Sequence, residues 1–275
     1  TQAANGSWSE NGKISFITTS AAVDLLNQLN HKVGENTPEQ AQIEAMLSSA
    51  LENLETNFPE NNDYLAQKVE ALKQAGSDVS DLMDYLASQI NESALGFSLK
   101  KNYSPNIAST PRVLKAISAT NYQDSGPDQQ FTLKAALLYL LNSQNIDGGW
   151  PEVFGEPSSL FVANLVLESL RPYQNTIIQG LPNGNLVIPA RINHGFNYLK
   201  SYQYFNGSWQ DNLLLTALAY DNYLGYEKVS NFHQNASNYL KNNQNPNGSY
   251  GSPANIFYTT KALKALARPD IEVTD

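Results

Sequence analysis

Few residues in this chain have the type and spacing that chemistry needs. Asp78, Asp81 and Asp84 stand three apart, which sets them loosely on one face of a helix. Carboxylates at a helix start favour its N-terminal dipole, so capping is the expected role, and a metal or acid role is the sharper alternative. Arg112 follows Pro111 within an apolar helical stretch, where a charge needs a reason. One reason is a base for proton abstraction; the plainer one is a guanidinium snorkelling at a helix end to reach a carboxylate. The three histidines, His31, His194 and His233, are scattered, and the last two fall near the starts of equivalent helices in successive repeats, which predicts a shared surface role. With no cysteine in 275 residues, disulfides, thiolate catalysis and cysteine-bound zinc are excluded. No metal or other cofactor is expected.

The elements that would position these residues announce themselves as a repeated phrase. Leu140-Leu141-Asn142-Ser143-Gln144-Asn145-Ile146-Asp147-Gly148-Gly149-Trp150 returns as Leu199 to Trp209 and as Leu240 to Tyr250. A looser copy runs from Leu86-Ala87-Ser88-Gln89 to Gly96-Phe97, and Asn5-Gly6-Ser7-Trp8 is the tail of another. Each copy closes a polar, amphipathic first helix, turns on Asn or Asp before Gly, where the left-handed conformation is tolerated, and opens a more apolar second helix. The spacing predicts second helices near 16–29, 61–75, 106–119, 158–170, 211–225 and 255–267. First helices are predicted near 39–56, 79–90, 131–144, 192–203 and 233–244, one fewer. The second helices align with one another. Phe16-Ile17-Thr18-Thr19 matches Phe257-Tyr258-Thr259-Thr260, and Leu114-Lys115-Ala116-Ile117 matches Leu263-Lys264-Ala265-Leu266.

A period of roughly 40–60 residues with alternating helix polarity belongs to a repeat architecture. A closed double ring, with the apolar set inside, is preferred to an open solenoid because six hairpins return the chain to its start. The missing outer helix has a natural source upstream of Thr1. One repeat domain is therefore expected over 1–267, with 268–275 a linker or the first strand of a following domain. Insertions at 121–128 and 173–190 break the pattern.

The phrase Gln-x(2)-Asp/Asn-Gly-Gly/Ser-Trp resembles the Gln-Trp motif of squalene and hopene cyclases, and more broadly the prenyltransferase and squalene-cyclase repeat family. The resemblance implies an all-α (α/α)6 toroid, one outer helix short of complete. It also implies that Gln144 with Trp150, Gln203 with Trp209, Gln244 with Tyr250 and Gln89 with Phe97 are scaffold pairs. Class II terpene cyclases protonate an alkene with Asp-x-Asp-Asp, and the zinc of protein prenyltransferases is held by Asp, Cys and His. Neither set is present. The stretch Gly148-Gly149-Trp150-Pro151-Glu152-Val153-Phe154 is similar to the Gly-Gly-Trp-Pro segment of some toroidal pectate lyases. That likeness implies an arginine base, for which Arg112 and Arg191 are candidates, and a cation site, for which Asp211 and Asp147 are candidates.

Composition narrows the partners. A net charge of −9 without a basic cluster argues against nucleic acid. No apolar run approaches 18 residues, which leaves no membrane span. The Asn, Ser and Tyr richness at 16% charged residues points to a secreted or surface bacterial protein, with the periplasm as a variant, and to a module of a larger chain. The expected function is a non-catalytic toroid that binds a small-molecule, carbohydrate or protein ligand at one mouth of the ring. A pectate-lyase-type enzyme is the alternative, and a terpenoid cyclase ranks last. The mouth is expected at the loops entering the second helices, with Trp150, Glu152, Phe154, Trp209, Tyr250 and Tyr258 as binding residues and Arg112 and Asp211 as catalytic candidates. Ile17, Ser109, Val162, Leu215 and Tyr258, aligned as equivalents, are mostly apolar or small, which predicts a filled or greasy centre.

Overall fold

The computed structural model describes residues 2–10, 13–125, 130–178, 186–226 and 231–267; the tail from Arg268, expected as linker or strand, lies outside them. Among the described residues there are eleven helices. The second helices of the repeat are the odd-numbered ones: α1 (Phe16–Asn30), α3 (Asn62–Gln74), α5 (Ser109–Thr120), α7 (Leu160–Leu170), α9 (Leu213–Leu224) and α11 (Ile256–Ala267). The first helices are α2 (Pro38–Thr56), α4 (Ser80–Ala87), α6 (Phe131–Asn142), α8 (Ile188–Ser201) and α10 (Asn231–Asn242). A 3-10 turn at Arg171–Tyr173 and two short antiparallel ladders complete the list, β1 (Ser9–Glu10) with β2 (Lys13–Ile14), and β3 (Ile177–Ile178) with β4 (Leu186–Val187).

The count of six and five and nearly every span follow the periodicity. One difference is α8, which begins four residues before the predicted 192. Pro189 sits in its first turn, where a missing N–H is no loss and φ is already helical. A second is polarity. Odd α3 reads Asn-Asp-Tyr-Leu-Ala-Gln-Lys-Val-Glu-Ala-Leu-Lys-Gln, while even α6 is rich in Leu and Ala, so the odd set is not uniformly the more apolar.

The chain divides into two compact units, residues 1–60, 67–78 and 204–275 in one, and 61–66 with 79–203 in the other. In the first, α1 packs against α11 and α2, α11 against α9, and α9 against α10. The first and last odd helices thus lie side by side. In the second, α5 packs against α4, α6 and α7, and α7 against α8. In both units odd helices neighbour one another; α2, α6, α8 and α10 each lie on the odd helix that precedes them, whereas α4 lies on the α5 that follows it.

The repeated phrase builds the same corner each time. Asn5, Asp147, Asn206 and Asn247 each accept, on Oδ1, the backbone N–H two residues on, at 2.9–3.2 Å. The glycine between takes φ of +80 to +89°. Its lack of a side chain serves a close approach as well. A Cβ on Gly6 would lie 1.8 Å from the carbonyl oxygen of Ser49 in α2, and one on Gly148 would lie 2.4 Å from that of His194 in α8. One turn earlier on those helices the motif glutamine finds its acceptor: Gln2 Nε2 donates to Met46 O at 2.8 Å and Gln144 Nε2 to Arg191 O at 2.9 Å. Glutamine and glycine together clasp the even helix that follows. Gln2 completes the corner whose tail is Asn5-Gly6-Ser7-Trp8.

The corner aromatic is then tied to its odd helix. The backbone N–H groups of Trp8, Phe97, Trp209 and Tyr250 donate to Thr19, Thr110, Thr216 and Thr259 at 2.9–3.1 Å. These bonds make Thr19 the counterpart of Thr259, one residue away from the sequence alignment that paired Thr19 with Thr260. The offset removes Ile17 from the set of equivalent positions.

Candidate functional site

The residues expected at a mouth fall into the two units: Arg112, Trp150, Glu152 and Phe154 in one, Trp209, Asp211, Tyr250 and Tyr258 in the other. Trp150, Trp209 and Tyr250 are 0% exposed and present no ring face to solvent. Trp150 Nε1 donates to Leu140 O at 2.7 Å, pinning the ring to the end of α6. Trp209 stacks on Tyr223 and meets Phe232 edge-on. The Tyr250 hydroxyl is buried without a hydrogen-bond partner, and burial pushes its pKa up. Glu152 is exposed and accepts from Ser159 Oγ at 3.2 Å. Phe154 is 73% exposed. Tyr258 is half-buried beside the Asn255 side chain that caps α11. Asp211 accepts from Asn206 Nδ2 at 2.6 Å and Ser208 Oγ at 3.0 Å, and Asp147 accepts from Ser158 Oγ at 2.7 Å. Both carboxylates fasten corners.

Arg112 is paired with a carboxylate. Its Nη1 lies 2.9 Å from Asp63 Oδ2 and 2.7 Å from Ala108 O, so the guanidinium bridges α3 to its own helix. Two further ion pairs join odd helices: Lys115 to Glu168 at 2.9 Å, and Lys264 to Asp24. These charges share one level. Asp24, Lys115, Asp221 and Lys264 each stand five residues after the threonine that receives the corner N–H, and Glu168 stands five after Ala163, which has that place in α7. A charged residue thus stands five residues after this place on each of α1, α5, α7, α9 and α11.

The histidines part company. His194 is exposed on α8, as expected, whereas His233 is buried edge-on to Tyr223 and Phe232, so no surface role is shared. Among the described residues no three of His, Cys, Asp or Glu converge as a metal site would require.

A cleft of about 810 Å³ in the second unit, at the upper end of ordinary small-molecule sites, collects polar groups that the sequence analysis did not assemble. It runs from the C-terminal half of α4 to the start of α6. Asp84, Glu92, Asp124 and Lys101 supply charge; Tyr122 and Phe131 supply rings. Its floor is ordered. Asp124 accepts from the Thr132 N–H at 2.9 Å and from its hydroxyl, holding the 121–125 segment onto the first turn of α6, where a carboxylate also meets the helix dipole. The Tyr122 hydroxyl donates to Asp84 and its pKa is pushed up to about 12, first by burial, then by that bond and by the charges of Asp84 and Asp124. Phe131 leaves 38% of its surface to solvent. The arrangement offers carboxylate acceptors and an aromatic face, with one cation against three acids. Two signals for it existed in the sequence: Asp84, read as a cap, and the insertion at 121–128.

No protein-family model matches the sequence, and no curated protein matches it. Solved structures do match. The type II terpene cyclase MstE from Scytonema superposes with a TM-score of 0.69 at 12% identity, over 97% of this chain and 93% of that one. The ent-copalyl diphosphate synthase from Streptomyces platensis gives 0.62 at 16%, over 92% of this chain and 49% of the other. A possible GH105-family member from Salmonella enterica gives 0.55 at 13%, over 97% and 88%. The fold is the terpenoid-cyclase and prenyltransferase-like α/α toroid that the corner motif predicts. At these identities the likeness extends to the fold alone.

Proposed function

We propose that this toroid is a non-catalytic binding module of an exported or surface protein, and that the cleft between α4 and α6 takes a hydroxyl-rich, uncharged or cationic ligand of the carbohydrate class. The observation that carries the reading is the lining of the cleft. The carboxyl groups of Asp84, Glu92 and Asp124 supply acceptor oxygens, as a ligand rich in hydroxyl or ammonium donors requires. Phe131 offers a face on which the C–H side of a sugar ring can rest. A uronate polymer would meet a net negative wall there, which weighs against a pectate-lyase activity in this cleft.

Two further features support binding over catalysis. A class II cyclase needs a neutral carboxylic acid aimed at an alkene, and Asp24, Asp63 and Glu168 on the odd helices are instead engaged by Lys264, Arg112 and Lys115. The Arg112 that a lyase would use as base is held by Asp63 and a main-chain carbonyl.

Calorimetric titration with cellohexaose, xylohexaose, maltohexaose and chitohexaose, beside polygalacturonate, tests the reading. One of the neutral or cationic sugars is expected to bind, with about tenfold loss in Phe131→Ala and in Asp84→Asn. Turnover of polygalacturonate with a rise in ultraviolet absorbance, or sugar binding that both variants leave intact, would overturn it.

A further inference from the structure

Two charges on the cleft between α4 and α6 are left without partners. Lys101 and Glu92 both line it and both are exposed. Neither forms an ion pair or a side-chain hydrogen bond among the described residues, with the other or with any third group. Each stands on an ordered segment. Asn91 Oδ1 accepts the Ala94 N–H at 3.0 Å and the Asn91 N–H donates to Gly96 O at 3.0 Å, which closes the turn that carries Glu92. Lys101 lies in a turn closed by the Tyr103 N–H on Lys100 O at 3.2 Å. Asn62 anchors the residues before it, donating its N–H to Leu99 O at 2.8 Å and its Nδ2 to Ser98 O at 2.9 Å. The other two carboxyl groups on the lining are already engaged, Asp84 by the Tyr122 hydroxyl and Asp124 by Thr132. A cation and an anion that line one cavity without neutralising each other are the complement of a ligand with two separated charges of opposite sign.

We infer that the ligand of this cleft is a zwitterionic sugar, one that carries an ammonium and a carboxylate on the same ring; the inference rests on the carbohydrate-class ligand proposed for the cleft. The sugar carboxylate meets the Lys101 ammonium and the sugar ammonium meets Glu92, each as a charge-assisted hydrogen bond. Hydroxyls between them donate to the remaining acceptor positions of Asp84 and Asp124, and the ring rests on Phe131. The lining requires both charges. Three acids against one lysine disfavour a sugar that is only an acid, and Lys101 disfavours a sugar that is only an amine. A sugar with both is neutral overall and meets each wall with the opposite sign. Because both segments are ordered before the ligand arrives, little is lost in arranging them around it.

Calorimetric titration of the whole chain with glucose, glucosamine, glucuronate and 2-amino-2-deoxyglucuronate separates the two charges. The amino-uronate is expected to bind tightest, about fivefold over glucosamine and over glucuronate, the size of one solvent-exposed ion pair. Lys101→Met should erase its advantage over glucosamine, and Glu92→Gln its advantage over glucuronate. Both positions are exposed, and circular dichroism of the variants checks that the fold is kept. Glucosamine binding as tightly as the amino-uronate, or an advantage that survives either variant, overturns the inference and leaves sugar binding as such intact. No binding by any of these sugars or by the neutral hexaoses overturns the inference together with the carbohydrate reading beneath it.

Discussion

Lys115 of α5 and Glu168 of α7 occupy the same level of neighbouring helices and meet at 2.9 Å, with about a quarter of the lysine side chain and an eighth of the glutamate side chain left exposed. Half-buried pairs of this kind hold helices in register more than they add stability, because desolvation offsets most of the attraction. Breaking the pair from one side leaves a charge without its partner. Lys115→Met is therefore expected to cost about 1–3 kcal/mol. The double variant Lys115→Met with Glu168→Met should recover most of that loss. Urea denaturation of the four members of the cycle measures the coupling, and additive losses would show that the two charges act independently.

Gly148 pairs a positive φ with contact against the backbone of α8, and Gly248 has the φ without the contact. Alanine at Gly248 should cost only the left-handed strain, about 1–2 kcal/mol. Alanine at Gly148 adds a clash with a main-chain carbonyl that no side-chain movement relieves, so a loss of about 3 kcal/mol or more is expected. The difference in thermal midpoint between the two variants reads the clasp directly. Equal shifts would mean that α8 is not gripped at this corner.

The architecture was legible because it is written several times over. Repetition fixed the helix count, the spans and the corner turns, where Asp147-Gly148, Asn206-Gly207 and Asn247-Gly248 each state the same local requirement. Features that depend on register were harder to read. Thr19 and Thr260 look equivalent along the chain, yet the corner N–H selects Thr19 and Thr259, and a one-residue slip on a helix turns a side chain by about 100°. The charged level at Asp24, Lys115, Glu168, Asp221 and Lys264 was hidden because its members differ in sign and so do not look alike. The cleft was hidden for another reason: Asp84, Tyr122 and Phe131 lie on three different elements, and no periodicity links them.

Trp150 and Tyr250 fill equivalent corners with opposite hydrogen-bond accounts. The indole N–H reaches Leu140 O, while the phenol is buried with no partner. Removing the donor from Trp150 by Trp150→Phe leaves a cavity and loses that bond, for an expected cost of about 3 kcal/mol. Tyr250→Phe removes a desolvated hydroxyl and should be neutral or stabilising by about 1 kcal/mol. A lower denaturant midpoint for Trp150→Phe beside an unchanged or higher one for Tyr250→Phe is the expected result; a large loss for Tyr250→Phe would reveal a partner for its hydroxyl.

Tyr122 gives the cleft its own pH signature. Its folded pKa of about 12 exceeds the ordinary value of 10, because burial disfavours the phenolate and Asp84 both accepts its hydrogen bond and repels its charge. Below pH 10 the phenol is protonated in folded and unfolded chains alike, and the contribution of this contact is fully present. Between about 10 and 12 the unfolded chain releases its proton while the folded chain keeps it, so stability falls as pH rises through that window. Asp84→Asn removes the neighbouring charge and should bring the tyrosinate absorbance transition of this residue down toward 10. Difference titration of the wild type against Tyr122→Phe isolates the transition. A midpoint that Asp84→Asn leaves unmoved would show that burial alone sets it and that the Asp84 carboxylate stands free for a ligand.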